Sequence, residues 1–579
     1  MSSPLPVIGF FTAVLIAFTA NPARGGDDPG ADIPWITYEA EAMNTTGAVL
    51  GPQFTPFHIE TESSGQQCVK LAAAGEYLEF TAASDANTMV VRFNLPDSEH
   101  GGGTNSALEF FVNGKSIRTL ALSSHYSLVY GDYPFSNDPG KGKPRNFYDE
   151  LRVKNVKVAK GDVIRLQKSV AETPACIVDL VDLEKVTPPL AEPANALSVL
   201  DFGASGNGDA DDTDALVRCV AEAKKQGKIC WIPAGNFKLT HDILLSSSVT
   251  IQGAGMWHTT FVGDDNLYGH ADRRVRFKLS GNGIHLADFA IVGKLNYRND
   301  DEPNDGVLGA GCSDSTVSRI WIEHTKTGAW IYNGSNLVIE GCRFRDLLAD
   351  GVNLCTGTNG TIVQDCSARG TGDDCFAIWP TVSDQGYVGQ IPQPGKNVIR
   401  HCTGQLPFLA NGGAIYGGAG NRIEDCVFSY ITAGCGVLIS TTFPTSDEQR
   451  KIDNNFSGMT VISGCRLIRC GGYDHDWGWR GSFQICLDRR NISGLTIADV
   501  EIKDSFSDGL TVLARDGLKG PGTLSNARIE NVRIPNFGIG ASGRHGLLID
   551  KGVAGSVTLV NSKIADVQNN SGNFAVVKE

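Results

Sequence analysis

Three aspartates spaced by about one structural repeat are the residues in this sequence best suited to chemistry. Asp350 lies in the segment 349–354 (ADGVNL), and Asp373 and Asp374 follow 23 and 24 residues later (373 − 350 and 374 − 350) in the segment 371–379 (TGDDCFAIW). That separation is about one coil of a parallel β-helix, whose coils stack at roughly 4.8 Å. Crowded carboxyl groups retain a proton on at least one member, so such a site offers an acid and a carboxylate at one pH. Hydrolysis of glycosidic bonds uses such a pair.

The chain from residue 197 to 579 repeats short aliphatic runs between turns rich in Gly, Asn and Asp. Aligned repeats begin at 337–342 (LVIEGC), 361–366 (TIVQDC), 397–402 (NVIRHC) and 421–426 (NRIEDC). Each run is too short to bury its own apolar face, so the repeats must stack into a solenoid. We therefore predict a parallel β-helix over 197–579.

Five cysteines mark the same position of this repeat. Cys342, Cys366, Cys402, Cys426 and Cys465 each follow an aliphatic residue by three positions. The regular spacing favours an interior ladder in which Cys acts as a small buried apolar side chain. The odd total of 15 cysteines argues against a disulfide framework, and the lack of CxxC pairs argues against zinc binding by these thiols.

Three segments precede the repeat region, and a predicted helix lies near its start. Residues 33–185 alternate apolar and polar positions, as in 77–80 (YLEF), which predicts a β-sandwich. Residues 186–196 (VTPPLAEPANA) form a proline-rich linker. The segment 215–225 (ALVRCVAEAKK) predicts a helix, capped by Asp or Thr, that closes the open end of the solenoid. Residues 1–25 contain an apolar run too short to span a bilayer and are predicted to be a signal peptide.

The composition narrows the class of partner. The formal net charge is −14 (50 − 64), and no long basic run occurs. We therefore expect neither nucleic acid nor a membrane as a partner, whereas an uncharged polymer is compatible with this charge. We expect a secreted monomer, extracellular or periplasmic, that needs no cofactor for catalysis.

Several motifs of the repeat region resemble one enzyme family. The segments 200–204 (LDFGA) and 231–235 (WIPAG) resemble the opening of pectate-lyase-like right-handed β-helix enzymes. Within that superfamily, ADGVNL and TGDDCFAIW, together with 301–306 (DEPNDG) and 324–330 (HTKTGAW), resemble glycoside hydrolase family 87, the α-1,3-glucanases and mycodextranases. The resemblance implies an inverting endo-hydrolase of α-1,3-glucan of the mutan or nigeran type. It implies Asp373 as general acid, with Asp350 and Asp374 holding the attacking water between carboxyl groups about 6.5–9.5 Å apart.

Polygalacturonases of the same superfamily have similarly spaced aspartates, followed by Gly-His-Gly and by Arg-Ile-Lys. Here the equivalent region reads NGGAIYGG at 411–418, and Arg-Ile-Lys does not occur. The cations that an acidic sugar needs are therefore missing, and a neutral glucan is favoured. A hydrolase of another polysaccharide, such as dextran or polygalacturonate, and a non-catalytic carbohydrate-binding surface protein are the alternative functions.

An aromatic segment at 473–480 (YDHDWGWR) combines ring faces with planar polar groups, which suits a neutral sugar. A long loop between coils with some buried aromatic residues is the alternative. We predict that the substrate-binding residues are Trp379, Tyr416, Tyr473, Asp474, Asp476, Trp477, Trp479 and Arg480.

The predicted sandwich resembles carbohydrate-binding modules of families 6 and 35 in its start at 38–41 (YEAE) and its end at 177–183 (IVDLVDL). The resemblance implies a structural Ca²⁺ held by Glu39, Glu41 and Asp179, since Ca²⁺ prefers oxygen ligands. The alternative is a row of outward carboxylates on a solvated strand. Either a sugar-binding platform or a core-facing turn is formed by Tyr126, Tyr130, Tyr133 and Phe135.

Overall fold

The computed structural model describes residues 28–133, 135–265, 274–300, 302, 304–380, 394–442, 456–474, 478–488, 490–514 and 522–579. The predicted signal peptide lies outside these residues, as do Asp301 and Pro303 and the segment 475–477 with Asp476 and Trp477. Within them, no helix has the length and apolar character needed to cross a membrane.

Residues 35–184 form two antiparallel β-sheets that pack face to face. One sheet contains, in spatial order, Asp149–Val158, Ala86–Asn94, Cys176–Glu184, Cys68–Leu71 and Ala48–Leu50, and Trp35–Glu39 pairs with Cys176–Glu184. The other contains Asn44–Thr45, Tyr77–Thr81, Val163–Lys168, Asn105–Val112 and Lys115–Ser123. Leu78 and Phe80 of the second sheet share one buried core with Val69 and Met89 of the first, because alternate residues of each strand face inward. A separate two-stranded pair joins Leu128–Tyr130 to Pro144–Asn146.

From residue 196 onward the strands are parallel and stack coil upon coil. One sheet of 12 strands contains Asp242–Leu245, Arg276–Leu279, Val307–Ala310, Ala329–Tyr332, Val352–Cys355, Phe376–Trp379, Gly413–Ile415, Val437–Ser440, Phe483–Leu487, Leu510–Ala514, Leu547–Ile549 and Val567–Asn569. The remaining two faces form one continuous 25-stranded sheet of Ala196–Ser198, Asn207–Asp211, Ile229–Ile232, Gly235–Lys238, Val249–Gly253, Thr259–Val262, Ile284–Val292, Thr316–Glu323, Val338–Glu340, Arg343–Arg345, Ile362–Gln364, Ser367–Arg369, Val398–Arg400, Thr403–Gln405, Arg422–Glu424, Val427–Ile431, Thr460–Ser463, Arg466–Cys470, Ile492–Ala498, Glu501–Lys503, Thr523–Glu530, Arg533–Ile534, Ala554–Val560, Lys563–Ile564 and Phe574–Lys578. This arrangement is a parallel β-helix with three strands in a typical coil.

The interior of the β-helix is a ladder of apolar side chains. The predicted ladder cysteines Cys342, Cys366, Cys402, Cys426 and Cys465 are all buried in this core and carry free thiols. Their thiols donate to backbone carbonyl groups of the coil below, as Cys366 does to Ile339 at 3.6 Å. The prediction that these cysteines act as buried apolar residues is confirmed.

One α-helix, Thr213–Gln226, covers the first coils, and its apolar face joins the core of the β-helix. The cap differs in detail from the expectation: the carboxylate of Asp211 accepts from the amide of Thr213 at 3.0 Å, while Asp212 bonds the amide of Ser205 at 2.7 Å. Gly227, in the left-handed conformation at φ 63°, ends the helix. Short 3₁₀ turns occur at Ala40–Ala42, Ser64–Gln66, Pro139–Lys141 and Val199–Phe202.

Buried ion pairs join the sandwich to the β-helix. Arg369 pairs with Glu150 and with Asp182, the latter at 2.6 Å, and Arg343 pairs with Glu184 at 2.7 Å. All of these side chains are less than 10% exposed. Although burial opposes ionisation, the guanidinium groups of Arg369 and Arg345 hold the pKa of Glu150 below its usual value. These ion pairs hold the two units together, along with an apolar contact in which the ring of Phe147 stacks on that of Phe408 at 4.0 Å.

We expect Arg369→Met to destabilise the protein by about 3–5 kcal/mol, because Glu150 and Asp182 would stay buried without their partner. Urea unfolding followed by tryptophan fluorescence measures this. Arg400→Met is the matched control, since Arg400 is exposed and donates to the side chain of Gln364; it should change the unfolding free energy by less than about 0.5 kcal/mol. Equal unfolding midpoints for the two variants would contradict a structural role for the ion pairs.

Candidate active site

Asp350 and Asp374 occupy the same position in consecutive coils. Each lies two residues before a strand of the 12-stranded sheet, and the first residues of those strands, Val352 and Phe376, are paired. The amide of Gly351 donates to the carbonyl oxygen of Asp374 at 3.0 Å, which fixes one turn against the next. A Cβ on Gly351 would lie 2.3 Å from the carbonyl oxygen of Cys375. Glycine follows Asp350 because the coils approach so closely there.

Asp373 reaches the same site because its backbone lies in a turn between the strands Ser367–Arg369 and Phe376–Trp379. The alternation of an ideal strand, which would point Asp373 and Asp374 to opposite sides, does not apply in that turn. One oxygen from each of Asp350, Asp373 and Asp374 lies within 4.8 Å of the others. Asp350 and Asp374 are buried, whereas the side chain of Asp373 is 27% exposed. The structure thus brings the three aspartates together and turns Asp373 toward solvent.

Burial and mutual repulsion favour protonated carboxyl groups in this cluster. Burial, and then the charge of Asp373, raise the pKa of Asp374 to about 7, against hydrogen bonds from Tyr416 and Asn411. Burial and the charges of Asp373 and Asp374 raise the pKa of Asp350 well above its usual value, and Arg298 and Asn353 oppose this only in part. The site therefore holds at least one proton near neutral pH, as acid–base chemistry requires.

Asp374 is held by two residues of the next coil. The side-chain amide of Asn411 donates to Asp374 Oδ1 at 2.7 Å, and the backbone amide of Asn411 donates to the same oxygen at 3.1 Å. The hydroxyl of Tyr416 donates to Oδ2 at 2.8 Å. Tyr416, predicted to bind substrate, is buried here and positions the carboxylate.

Arg298 fixes both aspartate turns from outside the repeat. Its guanidinium pairs with Asp373 at 2.8 Å and donates to the carbonyl oxygens of Gly372 at 2.9 Å and Leu348 at 3.3 Å. It also donates to the hydroxyl of Tyr133, a residue of the sandwich, at 2.5 Å. The sandwich therefore contributes to the site through Tyr133.

The other sandwich tyrosines also make polar contacts. The hydroxyl of Tyr126 donates to Asp265 of the β-helix at 2.7 Å, and that of Tyr130 donates to Asp97 at 2.8 Å. Tyr126 and Tyr133 therefore contact residues of the β-helix, and the sugar-binding platform stays a prediction.

Trp379 ends the strand that follows Asp374. Its ring meets that of Trp330 edge to face, with 5.8 Å between the ring centroids. Trp379 is partly exposed. An aromatic surface therefore runs along the same sheet, beside the aspartates.

The described part of the aromatic segment forms a small projection. Tyr473–Asp474 pairs antiparallel with Gly478–Trp479. The buried side chains of Asp474 and Arg480 form an ion pair at 2.8 Å. Tyr473 and Trp479 are partly exposed, and their rings meet edge to face at 5.6 Å.

Hydrogen bonds connect this projection to the aspartate column. The amide of Cys435 donates to the side-chain oxygen of Asn411 at 2.9 Å, and the amide of Gly472 donates to the carbonyl oxygen of Gly434 at 3.1 Å. Asn411 in turn holds Asp374, so the projection lies two to three coils away from Asp374. At roughly 4.8 Å per coil, that separation is on the order of 10–15 Å.

The predicted calcium ligands lie at one edge of the sandwich. Burial, and then the charge of Asp179, raise the pKa of Glu39 to about 8, and one buried oxygen of Glu41 accepts no hydrogen bond. Asp179, however, pairs with Arg92 and accepts from the amide of Ser64 at 2.9 Å. In the described residues, the three do not gather as closely as the aspartates of the candidate active site do. Asp179 therefore already has partners, and Glu39 accepts from the hydroxyl of Ser64.

Arg298, Asn411 and Tyr133 are site residues to which the sequence analysis gave no such role. Asn411 carried a usable signal, because it precedes a strand by two residues, one coil after Asp374. Arg298 lies outside the repeating strands, and Tyr133 belongs to the sandwich, so neither has a periodic signal that relates it to the aspartates.

We expect Asp374→Asn to stabilise the folded protein at pH 8. The pKa of Asp374 is above its unfolded value, so the wild type loses stability as the pH rises from about 4 to about 7, by up to about 4 kcal/mol. Asparagine does not titrate, so the gain in melting temperature should be larger at pH 8 than at pH 5. Asp425→Asn, at an exposed left-handed turn, is the control and should show no such difference. A gain that is independent of pH would contradict the raised pKa.

Two family models match this chain. Residues 32–186 match the α-1,3-glucanase catalytic domain D1, and residues 209–575 match the α-1,3-glucanase catalytic domain D2. The D1 description places the sandwich within the catalytic unit of that family. Among curated proteins, the pre-neck appendage protein of Bacillus phage B103 is 26% identical over 223 residues, 37% of this chain and 23% of that protein. That of Bacillus phage phi29 is 25% identical over 246 residues, so the chain spans about a quarter of the length of these relatives.

Solved structures of whole catalytic units are similar to this chain. The catalytic domain of Agl-KA is 26% identical with a TM-score of 0.83, over 95% of this chain and 98% of that one. The catalytic unit of a thermostable GH87 α-1,3-glucanase from Streptomyces thermodiastaticus is 28% identical with a TM-score of 0.80, over 95% and 96% of the two chains. Structures of another such domain have alanine in place of each of three aspartates, spaced by 23 residues and then by one. The chain belongs to the α-1,3-glucanase family, glycoside hydrolase family 87.

Proposed function

We propose that this enzyme hydrolyses α-1,3-glucosidic bonds within α-1,3-glucan and that Asp350, Asp373 and Asp374 carry the reaction. The observation that carries the proposal is the cluster of three carboxyl groups within 4.8 Å. Their spacing equals that of the aspartates replaced by alanine in the similar catalytic domain, which was solved with nigerose and with tetrasaccharides. Binding alone does not require three mutually repelling carboxyl groups, so a non-catalytic role is disfavoured.

Asp373 is proposed to donate the proton to the leaving glycosidic oxygen. It is the most exposed of the three and therefore the one that a bound glucan reaches. Burial and the charges of their neighbours raise the pKa of Asp350 and of Asp374, so the cluster retains a proton within reach of Asp373. Asp350 and Asp374 then hold and activate the water, with Asp374 oriented by Tyr416 and Asn411.

We expect Asp373→Asn to bind insoluble α-1,3-glucan normally and to lose activity by about 10²–10⁴-fold. An α-1,3-linked oligosaccharide with a fluoride leaving group needs no proton donor, so the variant should retain most activity on it. Asp374→Asn, which removes the charge and replaces one of the two acceptor oxygens with an NH2 donor, should be inactive on both substrates. Release of reducing sugar measures the first activity, and fluoride release measures the second. Loss of fluoride release in Asp373→Asn would contradict the acid role.

Inversion at the anomeric carbon is part of the proposal. The nearest oxygens of the three carboxyl groups are closer together than the separation of about 6.5–9.5 Å between carboxyl groups that an inverting enzyme uses, so the water must lie between their outer parts. Proton NMR of the first product decides this: a β-anomer indicates inversion, and an α-anomer indicates a retaining enzyme.

The partly exposed rings of Tyr473 and Trp479 are proposed to bind glucose units remote from the cleaved bond. A span on the order of 10–15 Å corresponds to two or three coils, which suits an extended polymer. Trp379 would bind a unit nearer the aspartates. Asp474 and Arg480 bind each other and would hold this projection in shape. Asp476 and Trp477 lie outside the described residues and stay predictions.

Trp479→Ala should raise KM for long α-1,3-glucan oligosaccharides by about tenfold, the loss of one stacking contact, with little change in kcat. For the shortest cleaved oligosaccharide, which does not reach Trp479, KM should be unchanged. Tyr77→Ala, which removes a partly exposed ring of the sandwich, is the control. An equal effect of Trp479→Ala on short and long substrates would contradict a remote subsite.

The remaining features are proposed from the sequence, some from its composition and some from its resemblance to known families. They are secretion directed by residues 1–25, a monomeric state, a right-handed pectate-lyase-like β-helix over 197–579, a linker over 186–196, and a jelly-roll module over 33–185 related to carbohydrate-binding families 6 and 35. Calcium at Glu39 and Glu41 would relieve their repulsion, in which case Ca²⁺ should raise the melting temperature of the wild type and not of Glu41→Gln. Dextran and polygalacturonate should release no reducing sugar.

A further inference from the structure

A second cluster of ionisable side chains lies where the sandwich meets the β-helix. It consists of Asp149, His324 and Asp346, and one potential ligand atom of each lies within 4.8 Å of the others. All three residues are buried. His324 Nε2 lies 2.9 Å from Asp149 Oδ1. None of the three belongs to the proposed catalytic machinery.

The backbone places His324 and Asp346 at equivalent positions of neighbouring coils. They occupy left-handed turn positions of consecutive coils, with φ of 53° and 49°. Gly370 holds the same position in the following coil, and a Cβ there would lie 2.5 Å from Asp346 Oδ1. The next coil therefore adds no side chain that could fill the space beside Asp346.

Asp346 is a buried carboxyl group with one oxygen that has no hydrogen-bond partner. It is 4% exposed, and its Oδ1 accepts no hydrogen bond. Burying such a group costs free energy unless a partner compensates. Among the described residues, neither Asp149 nor Asp346 forms an ion pair with Lys or Arg. His324 can supply one positive charge to Asp149, whereas Oδ1 of Asp346 has no such partner.

The neighbouring charges do not supply it. Glu150 faces the cluster but is matched by Arg369 and by Arg345 at 3.5 Å. Glu323 also faces it and is matched by Arg152 at 3.1 Å. Arg92 faces it as well, but pairs with Asp179. In the described residues, His324 is thus the one cationic side chain left to balance Asp149 and Asp346, and a divalent cation bound to a neutral imidazole would balance both carboxylates.

We propose that Asp149, His324 and Asp346 bind a divalent transition-metal ion of the Zn²⁺ type that joins the sandwich to the β-helix. One imidazole nitrogen and two carboxylate oxygens are a donor set that suits Zn²⁺ better than Ca²⁺, which prefers oxygen alone. The ring of Tyr126 stacks on that of His324 with 4.6 Å between centroids, which holds the imidazole in place. Because the ligands come from both units, the metal would form the site only in the docked protein.

Metal analysis of the purified full chain tests the proposal. The protein, prepared without a metal-affinity column, is stripped with EDTA, and Zn²⁺ is added back in steps. We expect about one equivalent of bound zinc by mass spectrometry and a rise in melting temperature of at least about 2 °C. No bound zinc together with an unchanged melting temperature would overturn the proposal.

Asp346→Asn separates a metal ligand from a structural carboxyl group. If zinc binds, the variant should lose the metal and the zinc-dependent gain in melting temperature. If no metal binds, removing an uncompensated buried charge should leave the melting temperature equal or higher, with no response to zinc, and the proposal fails. Asp314→Asn, at an exposed left-handed turn of the same β-helix, is the matched control and should keep the metal.

Asp373→Asn shows which cluster holds the ion, because the catalytic aspartates are the other close group of possible ligands in the described residues. Zinc retained in Asp373→Asn and lost in Asp346→Asn supports the proposal. The opposite pattern would place the metal at the active site and overturn it.

Discussion

The in-register stacking of parallel strands is the constraint on which the rest of this structure depends. Because Val352 pairs with Phe376 and Phe376 with Gly413, the residues two positions earlier form a column of Asp350, Asp374 and Asn411. Crowding two carboxyl groups costs free energy, and the backbone hydrogen bonds that join the 12 strands of this sheet offset that cost. A shift of one residue in one coil would break the column and bury the wrong side chains in the core.

A second constraint, charge at the contact between the two units, completes the active site. Glu150, Asp182 and Glu184 of the sandwich bind arginines that project from successive coils. That contact sets Tyr133 against Arg298, which in turn binds the turns of Asp350 and Asp373. The sandwich is therefore structurally part of the catalytic unit, in agreement with the family description of D1.

The aspartate cluster was predictable because it follows from the repeat. The aliphatic and cysteine positions define the coil length, and Asp350 and Asp374 share one phase of it. Tyr133 and the Asp149–His324 contact were not, because they depend on how two units dock, and docking leaves no period in the sequence. Arg298 was not predictable because it lies outside the repeating strands. A place for Tyr416 at the site was predictable, but its hydrogen bond to Asp374 was not, because an aromatic residue near a site is equally able to face a sugar or a carboxylate.

The charged character of the contact between the units has a consequence for synthesis. Glu150 and Arg369 are 219 residues apart, so the ribosome makes the sandwich on the order of ten to forty seconds before its partner coil. Part of the docking face is apolar, because Val129 and Phe147 pack on Leu348 and Phe408. Its carboxylates, however, remain hydrated during that interval and oppose aggregation. The nascent sandwich can therefore remain soluble while it is undocked, and docking begins only when the arginines of the later coils have been synthesised.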